Sequence, residues 1–142
     1  MEGRDVDAMI IVDSNIFIFG ETSTAPEHDA AIRKYKEACQ RDTIVTNVVI
    51  LSEVFHFSAK ISGAEGAAAR IGNILNSPLV EFVGFTPGVV LRAAKLARDF
   101  RLRINDALIA QQAIDMNAAV LTDNVKDFKK IKSIRVLPLR TD

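Results

Sequence analysis

The chain has 142 residues, of which 49% are hydrophobic and 25% are charged, a profile typical of one globular domain. We therefore predict a single domain over residues 1–142. The 18 basic and 18 acidic residues cancel. This balance excludes a global positive field that attracts nucleic acid, so any such binding needs a local basic patch.

Cysteine content and hydropathy indicate a protein of the reducing cytoplasm. Cys39 is the only cysteine in the sequence and excludes an internal disulfide. The polar start, Met1–Asp5, and the short apolar run after it do not form a signal peptide. No apolar stretch reaches the length of a membrane span. We predict a cytoplasmic protein without a membrane partner.

Strands and helices alternate along the chain. Short runs rich in β-branched residues predict strands, and apolar periodicity bounded by capping residues, proline or glycine predicts helices. The predicted strands are Met9–Val12, Thr43–Val45, Leu79–Phe85, Ala119–Leu121 and Ile134–Leu137. The predicted helices between them are Pro26–Arg41, Asn47–Ile61, Ala64–Asn76, Pro87–Arg101, Ile104–Asn117 and a helical turn at Val125–Lys130.

This alternation predicts an α/β fold. We expect a three-layer α/β/α sandwich with a central, mostly parallel sheet of about five strands. Gly63 breaks the helical pattern in the middle of the chain. Gly20–Pro26 is the segment that we expect to form a mobile surface loop.

Acidic residues lie at the ends of apolar runs or inside them: Asp13, Glu53, Asp106 and Asp123. A carboxylate costs free energy to bring near a core unless a positive charge pairs with it. No lysine or arginine lies within two residues of Asp13 or Glu53. A metal ion would supply the missing positive charge.

The predicted fold brings these acids toward one edge of the sheet. In open α/β sheets, ligands bind outside the carboxyl ends of the strands. Asp13 follows the first strand, and Asp123 and Asn124 follow the strand Ala119–Leu121. Glu53 lies roughly two turns into the helix after the second strand, at the margin of the buried face of that helix.

The position of Asp106 on its helix is also informative. It shares a face with Ile109, Ala110 and Ala113, which predicts a close-packed, partly buried carboxylate. The opposite face carries the polar residues Gln111, Gln112 and Asp115.

Each acid has a structural explanation of its own. Asp13 fits a cap for a helix that begins at Ser14, Asp106 suits the first turn of a helix, and Asp123 fits a turn. Glu53 fits a solvated helix position. One shared metal site, however, explains all four acids together.

The chemistry of the candidate ligands favours a hard cation. Oxygen-only clusters suit Mg²⁺ or Mn²⁺, whereas His28, His56 and Cys39 lack the spacing of zinc ligands. Carboxylates that hold such an ion orient and deprotonate a water for in-line attack on a phosphodiester.

Four motifs carry a resemblance to a known family: Ile11–Phe17, Ile50–Val54, Ile104–Ala110 and Leu121–Phe128. In this order, over about Met9 to Leu139, the chain resembles the PIN domain family of ribonucleases. The resemblance implies a Mg²⁺- or Mn²⁺-dependent endoribonuclease. The catalytic acids that it implies are Asp13, Glu53, Asp106 and Asp123.

The resemblance also implies particular metal ligands. Asp13, Glu53 and Asp106 would bind the ion, and Asn15 and Thr122 would support the site. The fourth ligand position departs from the usual family pattern and stays open among Asp123, Asn124 and Asp127. An asparagine there would lower the negative charge of the site by one.

The size of the chain is similar to that of the toxin half of VapBC toxin–antitoxin pairs. This likeness implies the toxin of a type II pair, an RNA substrate, an antitoxin partner that covers the acidic pocket, and a homodimer. The alternative is a non-catalytic RNA- or protein-binding PIN-like domain with a weakened metal site. A phosphorelay receiver is discounted, because Ser14 follows Asp13 where a second acid is expected.

Basic residues lead directly into the third motif. We predict that they form the RNA-binding patch: Arg92, Lys95, Arg98, Arg101 and Arg103. A second basic cluster follows the fourth motif: Lys126, Lys129, Lys130 and Lys132. A solvated helix face is the alternative explanation of both sets.

Overall fold

The computed structural model of the protein describes residues 8–140, so the prediction about Met1–Asp5 lies outside the described residues. Strands and helices alternate as predicted. In chain order they are β1 (Met9–Val12), α1 (Ser14–Glu21), α2 (His28–Arg41), β2 (Thr43–Thr46), α3 (Val48–Asn76), β3 (Val80–Phe82), α4 (Pro87–Phe100), α5 (Ile104–Met116), β4 (Ala119–Thr122), α6 (Val125–Phe128) and β5 (Val136–Pro138).

The strands form one five-stranded sheet in the order β3-β2-β1-β4-β5. Every pairing in it is parallel, with Ile11 of β1 opposite Val45 of β2 on one side and Val120 of β4 on the other. Helices cover both sides of the sheet, which confirms the predicted three-layer α/β/α sandwich. The central position of β1 explains why Ile11 and Val12 are fully buried.

Local capping chemistry sets the helix starts that the sequence predicts. The buried side chain of Asn47 accepts a hydrogen bond from the Ile50 amide at 3.0 Å and caps α3. Thr86 accepts one from the Val89 amide at 3.2 Å and caps α4, with Pro87 in the first turn.

The predicted break at Gly63 is a kink inside α3. Gly63 has φ 76° and ψ 173°, a region that is essentially restricted to glycine. The halves of α3 on either side of it match the two separate helices that the sequence predicts. α3 therefore consists of two helical segments that meet at the non-helical Gly63.

Several predicted boundaries were wrong. Helix α1 extends to Glu21, so it occupies the first two residues of the predicted loop Gly20–Pro26. Helix α2 begins at His28, after Pro26 and the cap residue Glu27. Strand β3 is shorter than predicted, and β5 lies two residues later, with Pro138 inside it opposite Thr122.

The polar face predicted for α5 holds for Asp115, which is exposed, but was wrong for its two glutamines. Gln111 and Gln112 are buried. The Gln112 side chain accepts a hydrogen bond from Asn47 Nδ2 at 2.8 Å and donates one to the Val83 carbonyl at 3.3 Å. These partners lie far away in sequence and satisfy the carboxamide inside the protein. Among residues 8–140, no helix is long and apolar enough to cross a bilayer.

The kink gives a prediction about stability. Gly63→Ala should lower the free energy of unfolding by about 1–3 kcal/mol, because alanine strains a backbone at this φ and ψ. A Cβ at Gly63 would meet no atom within 4 Å, so crowding does not contribute. Urea denaturation of the variant and the parent measures the effect.

Gly72→Ala is the matched control, because Gly72 lies in the same helix and its Cβ would also meet nothing within 4 Å. It should raise the free energy of unfolding by roughly 0.5–1 kcal/mol. Equal stabilisation by both substitutions would contradict the assignment of strain to Gly63.

Candidate metal centre

A cleft of about 620 Å³ opens at the carboxyl ends of β1 and β4. Asp13, Glu53 and Asp106 line it, each from a different part of the chain. Asp13 follows β1, Glu53 lies on α3 and Asp106 lies in the first turn of α5. The fold therefore brings three predicted site acids to one place, at the edge of the sheet where open α/β folds bind ligands.

Asp13 is held most tightly of the three. Its carboxylate accepts hydrogen bonds from the Ser14 amide at 2.8 Å, from Thr122 Oγ1 at 2.7 Å and from Asn15 Nδ2 at 3.2 Å. The side chain is only 3% exposed. Burial raises the pKa of Asp13 to about 6, and the nearby charges of Asp106 and Glu53 add to the effect, although the hydrogen bonds oppose it.

Asn15 and Thr122, the predicted supporting residues, connect the ends of β1 and β4. Thr122 Oγ1 accepts hydrogen bonds from Asn15 Nδ2 at 3.3 Å and from the Asn124 amide at 2.9 Å. Asn15 Oδ1 accepts one from the Asp123 amide at 3.1 Å. The turn after β4 is thus fixed against the residue that caps α1.

Glu53 is oriented by two residues that the sequence did not single out as site residues. Ser14 Oγ donates to Glu53 Oε1 at 2.7 Å, and Asn105 Nδ2 donates to Glu53 Oε2 at 3.1 Å. Ser14 directly follows Asp13, and Asn105 directly precedes Asp106. Polar residues adjacent to the acids are the sequence signal that would have found them.

Asp106 is partly buried, as its helix face predicts. Burial raises the pKa of its carboxyl, and Asp127 and Glu53 raise it further, whereas Arg103 lowers it. Asn124 Nδ2 donates to Asp106 Oδ2 at 3.4 Å and also lowers the pKa. The net shift of the Asp106 pKa is upward, and its largest cause is burial of the carboxyl.

The three residues open for the fourth position have different surroundings. Asp123 accepts hydrogen bonds from Arg140 Nε at 3.0 Å and Nη2 at 2.9 Å, and Arg140 also binds Glu27 at 2.6 Å. Asp127 pairs with a surface lysine, Lys130, at 3.4 Å. Asn124 lines the cleft beside Asp106.

The donor chemistry of the cleft fits Mg²⁺ or Mn²⁺. Among residues 8–140, no three histidine, cysteine, aspartate or glutamate side chains stand close enough together to hold a metal ion. Asp13, Glu53 and Asp106 nevertheless share the cleft and repel one another, and no ion pair in the described part of the chain includes them. Carboxylate oxygens with unbalanced charge suit a hard divalent cation.

The five residues of the predicted RNA-binding patch are not equivalent. Arg92 pairs with Asp115 at 2.8 Å, and Arg98 pairs with its neighbour Asp99 at 3.0 Å. The remaining members of the patch, Lys95, Arg101 and Arg103, are exposed. Of the five, the structure places Arg103 in the lining of the acidic cleft.

Comparisons with known proteins agree with this fold. Residues 10–134 match the PIN domain family, to which the chain therefore belongs. No curated protein sequence matches the chain closely enough to count as a relative.

Solved structures show the same architecture. VapBC2 from Rickettsia felis, bound to a DNA fragment from its promoter, contains a chain with a TM-score of 0.73 and 21% identity, which covers 92% of this chain and 98% of that one. A chain of VapBC-1 from nontypeable Haemophilus influenzae has a TM-score of 0.70 and 20% identity, and the match covers 92% of this chain and 98% of that one. VapC20 from Mycobacterium tuberculosis, a toxin that cleaves the sarcin–ricin loop, has a TM-score of 0.68 and 18% identity. The match covers 84% of this chain and 92% of that one.

The pKa of Asp13 gives a prediction about pH and stability. A carboxyl whose pKa is raised from 3.8 to about 6 by folding stabilises the fold below pH 4 and loses that contribution as the pH rises through 6. Asp13→Asn stays neutral at every pH. In EDTA, the stability of this variant relative to the parent should therefore rise by about 2 kcal/mol between pH 4 and pH 8.

Urea denaturation across this pH range measures the difference. Asp99→Asn, which removes a carboxylate from the surface of α4, controls for the general effect of one fewer negative charge. A stability difference between Asp13→Asn and the parent that does not change with pH would show that folding does not raise the pKa of Asp13.

Proposed function

We propose that this protein is a Mg²⁺- or Mn²⁺-dependent endoribonuclease. The observation that carries the proposal is the convergence of Asp13, Glu53 and Asp106 on one cleft, where none of them forms an ion pair within residues 8–140. Membership of the PIN domain family supports it, and so does the fold shared with VapC20, a toxin that cleaves RNA.

Three carboxylates perform the central task of the proposed mechanism. Asp13, Glu53 and Asp106 would hold the ion, which when bound activates a water and neutralises charge on the phosphate. Ser14 and Asn105 fix the orientation of Glu53 through hydrogen bonds to each of its oxygens. Such partners keep ligand oxygens in place before the ion arrives.

We assign the fourth position of the site to Asn124. Its side chain lies at 3.4 Å from Asp106 in the cleft, whereas Asp123 is engaged by Arg140 and Asp127 by Lys130. Asn124 adds no negative charge, so the site has three acids. A smaller negative charge lowers the attraction for a divalent cation and also lowers the repulsion of RNA.

We infer that the protein is the toxin of a type II toxin–antitoxin pair and acts in the cytoplasm. Neighbours of the same fold come from VapBC complexes, which supports an antitoxin as the protein partner. Exposed apolar side chains support a homodimer: Phe55 is 38% exposed, Phe82 50% and Leu91 73%.

A non-catalytic RNA- or protein-binding domain is the second candidate function. The observation that favours it is the neutral Asn124 at the position where an acid would complete the site. This alternative predicts no saturable effect of Mn²⁺ on stability, whereas the nuclease requires one.

Removal of a central carboxylate tests catalysis. Asp106→Ala should lower the rate of Mn²⁺-dependent cleavage of bacterial transfer and ribosomal RNA at least ~100-fold, because it deletes a proposed metal ligand. The folded state should survive, since Asp106 is only partly buried. Gel analysis of cleavage measures the rate, and circular dichroism checks the fold.

Asp99→Ala is the matched control, because it removes an exposed acid on α4 outside the cleft. It should cleave at the parent rate. The nuclease proposal fails if Asp106→Ala retains the rate of Asp99→Ala.

A metal titration separates the two candidate functions. At a Mn²⁺ concentration 100 times the dissociation constant, the parent should gain about 2.7 kcal/mol in unfolding free energy. Asn124→Asp should shift the titration to lower Mn²⁺ concentrations, because it adds a fourth carboxylate beside Asp106. A parent whose stability does not respond to Mn²⁺ supports the binding domain.

A further inference from the structure

Arg103 has a position that no other basic residue of the predicted patch shares. It lies directly before α5, three residues ahead of Asp106, and its side chain lines the acidic cleft. Lys95 and Arg101 are exposed, and Arg92 and Arg98 are paired with Asp115 and Asp99. Among the described residues, Arg103 is thus the one arginine or lysine in the cleft lining, which also includes His56.

The charge of Arg103 acts on the carboxylates of the cleft, but Arg103 forms no ion pair with them. It lowers the pKa of the Asp106 carboxyl, so the guanidinium lies near that carboxylate. Within residues 8–140, however, no aspartate or glutamate oxygen forms an ion pair with it at 4.0 Å or less. Its side chain does not cap α5 either. The guanidinium is therefore available to a ligand in the cleft.

A cleft with three carboxylates repels a phosphodiester, and a metal ion offsets only part of that charge. A guanidinium at the rim offsets more, and its planar set of N–H donors matches two oxygens of one phosphate. The ligand chemistry that fits an arginine beside a carboxylate-bound cation is thus a single phosphate of an RNA backbone.

We propose that Arg103 binds the non-bridging oxygens of the scissile phosphate and fixes it against the three carboxylates. This inference rests on the proposed nuclease function and names one substrate-binding residue of that site. The other residues of the basic patch then contribute general attraction for RNA, and their removal has small effects.

The test compares Arg103→Ala and Arg103→Lys with the matched control Arg33→Ala, which removes an exposed arginine from α2, outside both the cleft and the predicted patch. Each variant is assayed for Mn²⁺-dependent cleavage of total bacterial transfer and ribosomal RNA over a range of RNA and salt concentrations. Arg103→Ala should reduce kcat/KM by roughly 10- to 100-fold. The negative slope of log(kcat/KM) against log salt should become shallower by about 1, because one phosphate contact is lost.

Partial rescue distinguishes the guanidinium from a general positive charge. Arg103→Lys should recover part of the loss, because an ammonium keeps the charge but not the paired donors. Added guanidinium chloride at millimolar concentration should restore activity to Arg103→Ala and leave the activity of Arg33→Ala unchanged.

A Mn²⁺ titration of stability gives a readout that does not depend on cleavage. Arg103→Ala should respond to Mn²⁺ at the same or lower concentrations than the parent, because a positive charge near Asp106 has been removed. A weaker Mn²⁺ response would overturn the proposal in favour of a role in building the metal site.

Two other outcomes separate this inference from the function on which it rests. If the parent cleaves RNA and Arg103→Ala is as active as Arg33→Ala, the phosphate contact is wrong and the nuclease stands. If the parent does not cleave RNA with Mn²⁺, both the nuclease and the role of Arg103 fall.

Discussion

The hydrogen bond from Thr122 to Asp13 is the contact on which the site depends. It joins residues 109 positions apart in the chain and is 2.7 Å long. It exists because β1 and β4 are parallel neighbours in the sheet, so their carboxyl ends lie side by side. The same hydroxyl accepts hydrogen bonds from Asn15 and Asn124. A buried carboxylate is thereby held in one orientation although burial opposes its charge.

Charge balance around the cleft follows from which acids the fold neutralises. Asp123 and Asp127 form ion pairs on the surface, whereas Asp13, Glu53 and Asp106 form none among the described residues. The protein thus concentrates unbalanced negative charge in one place while its overall charge is zero. The neutral Asn124 and the positive Arg103 both moderate this charge, which favours a site that a cation and a phosphate can occupy together.

Short-range chemistry explains the parts of the fold that the sequence predicts well. The caps at Asn47 and Thr86 act within three residues, and the kink at Gly63 depends on one residue's backbone. The buried strand β1 follows from a run of apolar residues. The errors arise where distant contacts decide: Gln112 faces inward because Asn47 and the Val83 carbonyl satisfy its carboxamide.

The sequence by itself determined the family and the alternation of strands and helices, and it singled out Asp13, Glu53 and Asp106, which line the cleft, because these follow from residue type and local order. Only the tertiary structure shows that Asp123, Asn124 and Asp127 have different surroundings, because these depend on partners elsewhere in the chain, such as Arg140 for Asp123 and Asp106 for Asn124. It also singled out Arg103 from the basic patch. Such choices depend on distances between side chains, which local sequence patterns do not encode.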